Sequence, residues 1–141
     1  MSKKPQDTFY IKASVLLGSQ PMATTSYYTD AACTQQVHSP LTSSHSTGVC
    51  VFVQAATSEL VLMGAAFKTI GHPPVMTANN FEPAKVAGVD PTLVQVSIPM
   101  PVSKDPSESI TKGVVLLFSD PGKVTSIYPS SDPQIANSGS P

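Results

Sequence analysis

Four residues in one polar stretch, Cys33, His38, His45 and Cys50, are of the types that ligate zinc. Their spacing does not suit the metal. Cys33 to His38 and His45 to Cys50 each leave four intervening residues, whereas structural zinc sites carry a tighter knuckle between paired ligands. Cys50 also lies in an apolar run, where a small thiol packs as a hydrophobe. No metal and no other cofactor is expected. The same residues suggest a second chemistry, with Cys33 as nucleophile and His38 or His45 as its base. Any chain with two cysteines and three histidines offers such pairings. No recognisable signature surrounds these, so no catalytic residue is assigned and the chain is read as a non-enzyme.

A ligand site of another kind can be assembled from aromatic and amide-bearing residues. Tyr27, Tyr28, Asp30, Asn79 and Asn80 combine rings that stack on sugars with side chains that hydrogen-bond hydroxyls. They define the alternative reading, a small-ligand or carbohydrate-binding module. With no Trp and few aromatics, tyrosines packed on sheet faces are the commoner arrangement.

Other chemistries lack their residues. Asp-Pro recurs at Asp90-Pro91, Asp105-Pro106, Asp120-Pro121 and Asp132-Pro133. No loop places Asp at the alternating positions that calcium needs, and turn formation accounts for the pairs. Glu59, Glu82 and Glu108 are scattered. Glycine-rich phosphate loops and a Gly-x-Ser-x-Gly elbow are both missing. Arginine is absent and the net charge is −1. Without the guanidinium fork or a basic patch, nucleic-acid binding is not expected. No apolar run reaches the length of a membrane-spanning helix. Met-Ser-Lys-Lys carries the charge of a signal peptide with no apolar segment behind it. The expectation is a cytoplasmic protein, or one exported without a cleavable signal, that does not insert in membranes.

The elements that would position any site are strands. The 141 residues suit one domain spanning 1–141, with 1–7 and 130–141 as extended or frayed ends. Charged residues are only 12%, about half the usual share, and Ser and Thr fill the gap. Period-two alternation over Phe9–Leu17 sets Phe9, Ile11, Ala13, Val15 and Leu17 against Tyr10, Lys12, Ser14 and Leu16. A second strand is read near Ala23–Asp30, with Tyr27 and Tyr28 on opposite faces. Val49–Gln54 is apolar on both sides and is expected to be central. Ser58–Lys68 fits a helix or a strand, and strand is preferred because its neighbours are strands. There Val61, Met63, Ala65 and Phe67 would share a face, and Ala55-Ala56-Thr57 would be a short hairpin link. Thr92–Pro99, Gly113–Ser119 and Val124–Tyr128 complete the set, while Thr34–Gly48 and Val75–Val89 read as loops. Val51, Phe52, Val96, Leu116 and Phe118 are the expected core. Asp120-Pro121-Gly122 is the best hairpin turn, with Gly122 expected at positive φ.

The pattern predicts an all-β fold, a single antiparallel sandwich or flattened barrel of about seven or eight strands. Low charge leaves few residues to blunt the sheet edges. The leading expectation is therefore a non-enzymatic assembly or interaction subunit, self-associating or bound to a protein partner, as in a virion, appendage, inclusion or coat.

Overall fold

A computed structural model describes residues 8–16, 22–38, 41–43, 49–70, 81–86, 94–99, 111–130 and 134–137. Among them are twelve strands and no helix. The first sheet, A, contains β1 (Thr8–Leu16), β2 (Met22–Tyr28), β3 (Gln36–Val37), β5 (Val49–Gln54), β8 (Lys85–Val86) and β9 (Val94–Pro99). The second, B, contains β4 (Leu41–Ser43), β6 (Val61–Ile70), β7 (Phe81–Pro83), β10 (Thr111–Asp120), β11 (Lys123–Pro129) and β12 (Gln134–Asn137). Sheet A runs β3-β2-β1-β5-β9-β8. Sheet B runs β4-β12-β10-β6-β7, with β11 also on β10. The two pack as a β-sandwich. Most pairs are antiparallel, but β1 with β5 and β12 with β4 are parallel.

Alternation decides which side chains go inside. Phe9, Ile11 and Ala13 of β1 are buried, as are Cys50 and Phe52 of β5, Val96 and Ile98 of β9, and Val114, Leu116 and Phe118 of β10. The Phe52 ring lies 6.0 Å from both Phe9 and Tyr27. Four of the five expected core residues are buried. Val51 is half-buried, because on β5 it faces outward with Val49 while Cys50 and Phe52 face in. The central position expected for β5 is correct, between β1 and β9.

Ser58–Lys68 resolves as strand from Val61 onward. Its pairing with β10 slips between Leu117 and Phe118, which face Gly64 and Leu62. Met63 is the extra residue of this β-bulge. The bulge changes the phase: Ala65 and Phe67 point inward as expected, but so does Leu62, and Met63 is left 40% exposed. Gln54 of sheet A reaches across, and its Oε1 accepts the Leu62 N–H at 2.8 Å.

Residues 55–60 are not a hairpin link, since β5 and β6 lie in different sheets. They form a corner on the edge of β1 that β5 vacates. The Ala13 carbonyl accepts the Glu59 and Leu60 amides, both at 3.1 Å. Ser58 Oγ accepts the Ala13 amide at 3.0 Å and donates to the Leu60 carbonyl at 2.8 Å. A second crossing runs through 81–86, where β7 pairs β6 and, after Ala84, β8 pairs β9.

The hairpin at Asp120-Pro121-Gly122 pairs β10 and β11 antiparallel, as expected. Gly122 departs from expectation. Its φ lies outside the left-handed region, and an added Cβ would sit 3.5 Å from Asp120 Oδ1, an ordinary contact. The Asp120 carboxylate accepts the Gly122 amide at 2.9 Å, the arrangement that Asp favours at the first position of a type I turn. Such turns splay hairpin strands, and the register shifts between Ser119 and Asp120. The C-terminal residues are not simply frayed. β12 continues along β10 past Ser130, and Ile135 is fully buried. Buried Ser130 fills the break: its amide donates to the Leu116 carbonyl at 2.8 Å, and its Oγ accepts the Leu116 amide at 2.9 Å.

Candidate interaction face

The residues proposed as ligand-binding do not converge. Tyr27 points into the core against Phe52, and its oxygen accepts the Thr25 hydroxyl at 2.9 Å. A ligand at the surface does not meet that ring. Tyr28 faces outward, half-buried, with Lys12 Nζ 5.7 Å from its ring centroid. Asp30 is occupied by its own loop: its carboxylate accepts the Thr34 amide and hydroxyl and the Gln35 amide. These bonds hold its pKa below the ordinary carboxylate value, the Thr34 hydroxyl contributing most. Asn79 and Asn80 lie outside the described residues.

The cysteine and histidine set is spread across different environments. Cys50 is buried on the inner side of β5, Cys33 sits in the β2–β3 loop, and His38 is exposed just after β3. His45 lies outside the described residues. Cys33 and Cys50 are not joined to each other. Among the described residues no three groups of ligating type come together. Cys33 closes the turn that starts at Asp30, its amide donating to the Asp30 carbonyl at 3.1 Å with φ at 58°. Burial, and secondarily the Asp30 charge, push its thiol above the ordinary value against the pull of Lys12. That is the wrong direction for a nucleophilic thiolate.

Sequence reasoning missed Lys112. It belongs to the inward set of β10 with Val114, Leu116 and Phe118, and only 3% of it is exposed. Its Nζ lies 5.0 Å from the Phe67 ring centroid, and among the described residues no carboxylate pairs with it. A desolvated cation–π contact gives about 2 kcal/mol, while removing an ammonium from water costs several kcal/mol. Desolvation therefore wins, and burial lowers the lysine pKa from 10.5. The unfolded chain binds the proton more tightly, so stability rises as pH climbs through the folded pKa toward 10.5. Lys112→Met is expected to stabilise the protein at neutral pH by about 1 kcal/mol or more. The gain should shrink as the pH approaches 10.5, a trend that paired melting curves would reveal. A variant less stable than wild type at every pH would show that the ammonium is compensated.

Among the described residues, an apolar surface runs across the outer face of sheet B. Residues paired across a ladder point to the same side, which arranges this face in rows. Pro83, Gly64, Leu117 and Pro129 form one row, and Phe81, Ala66 and Val115 a second. Val61, Ser119 and Ile127 form a third. Phe81 is 49% exposed and Ile127 47% exposed, with Met63 beside them at the bulge. Ala66 is exposed, and Val115, Leu117 and Pro129 are half-buried. Lys68, exposed beyond Ala66 on β6, borders these rows with a charge. The feature was hard to see in sequence, because Val115 and Leu117 read as the second buried side of a central strand.

No helix among the described residues is long and apolar enough to cross a membrane. Comparison with protein-family models, with curated proteins and with solved structures finds no match for this chain.

Proposed function

We propose that the chain is a non-enzymatic assembly subunit that associates with copies of itself through the outer face of sheet B. The observation that supports this is the run of apolar side chains across β7, β6, β10 and β11, with Phe81 and Ile127 about half exposed. Contiguous apolar surface of this kind marks interaction sites, and aromatic residues enriched at its centre are the usual anchors. A second copy is the favoured partner on electrostatic grounds. The chain carries a net charge of −1, and Lys68 stands at the margin of the rows, beyond Ala66, so the apolar centre of the face meets itself without like-charge repulsion. A two-fold contact would place the same patch on both partners.

Sedimentation velocity across a concentration series tests the reading. The wild type should form a dimer or larger species, and Ile127→Lys together with Phe81→Ser should shift it toward monomer. Both positions are exposed, so the melting temperature of the dissociated variant should fall only modestly. A wild type that stays monomeric at the highest concentration, or a double variant with unchanged association, would overturn the proposal.

A further inference from the structure

The opposite side of the molecule carries a feature of different chemistry. A depression of about 220 Å³ lies on the outer face of sheet A, floored by β1 and β2 and walled by the 55–60 corner. Lys12 stands opposite Ser26 in the β1–β2 register, and Ser14 opposite Thr24. Thr57 and Glu59 complete the lining from the corner.

Several hydroxyls of the described residues hold the fold together, and those of the depression do not. Ser58, Thr25 and Ser130 are engaged in holding corner, core and strand break. Among the described residues, Ser14, Thr24, Ser26 and Thr57 make no hydrogen bond from their hydroxyls to the protein. Lys12 and Glu59 share the depression with opposite charges, yet form no ion pair with each other. Lys12 instead leans toward the Tyr28 ring, 5.7 Å from its centroid.

We propose that this depression binds a neutral sugar unit. Hydroxyls both donate and accept, and so do those of a sugar, while Lys12 only donates and ionised Glu59 only accepts. The two charges cancel, so an anionic group attracted by Lys12 is opposed by Glu59. The volume is below the roughly 300 Å³ at which pockets for drug-sized ligands begin, which suits one ring. The site is distinct from the apolar face on sheet B, so an assembled form would leave it open.

The test is an NMR titration of the intact chain with the methyl glycosides of glucose, galactose and mannose, with glycine betaine and inorganic phosphate run in parallel. At least one glycoside should shift the amides of Ala13, Ser14 and Ser26 saturably, with a Kd on the order of 1 mM. Thr24→Val with Ser26→Ala should weaken that binding about tenfold and leave the melting curve near wild type. If that variant does not fold, Glu59→Gln, on the exposed corner, decides the matter by the same loss of affinity. No saturable shift with any glycoside, unchanged affinity in a folded variant, or binding of betaine or phosphate alone would overturn the proposal.

Discussion

Phe118→Ala should destabilise the protein by about 3–5 kcal/mol. The ring has no exposed surface and stands on the inner side of β10, in register with Leu62 of β6 and Tyr128 of β11. Strands pair with β10 on both sides, so the backbone around the vacated space is held in place and collapse into it is limited. Cavity cost then adds to the lost transfer free energy, toward the upper end of the range. Urea unfolding would report a lower midpoint with a similar slope. A midpoint equal to that of wild type would mean that the ring is not in the core. The substitution leaves the outer face of sheet B untouched, so association measured on the folded fraction should not change.

Gly64→Ala should cost about 1–3 kcal/mol, although Ala in a strand is ordinarily favoured over Gly by about 0.5–1 kcal/mol. A Cβ at position 64 would lie 2.8 Å from the Glu82 carbonyl oxygen and 2.9 Å from Phe81 Cζ. The ring could turn away, but the carbonyl belongs to the backbone of β7 and moves only if the β6–β7 pairing opens. That pairing starts the crossing through 81–86, so the strain reaches both sheets. Phe81 would also shift on the proposed assembly face. The variant should therefore lose melting temperature and self-association together, whereas Ile127→Lys should lose chiefly the latter. A Gly64→Ala protein as stable as wild type would show that β7 yields freely.

Strand identity was largely legible because alternation is local. Phe9, Ile11 and Ala13 against Tyr10, Lys12 and Ser14 is a pattern written in consecutive residues, and β5 agrees residue for residue with Val49–Gln54. The sandwich follows from such strands, since each has an apolar side that must be covered. The short pieces were not legible. β3, β4, β7 and β8 are two or three residues long, too brief for any period, and exist because a longer neighbour offers unpaired backbone groups. The tail was underestimated for the same reason: Ile135 is buried because β10 has a free edge there.

What the sequence determined by itself was the class of fold, the inward set of most long strands, the opposite facing of Tyr27 and Tyr28, and the Asp120-Pro121-Gly122 reversal. Each rests on chemistry within a few neighbouring residues. What the tertiary structure alone decided was which strands pair, where the register slips and which faces stay uncovered. The bulge at Met63 turns a predicted inward residue outward because β10 fixes the register on either side of it. Lys112 becomes an interior residue through its place on β10 beneath Phe67. Val115 and Leu117 remain at the surface because no third layer of described residues covers sheet B. A residue's own type sets whether it gains from burial, but only the packing of distant segments determines whether a partner is there to bury it.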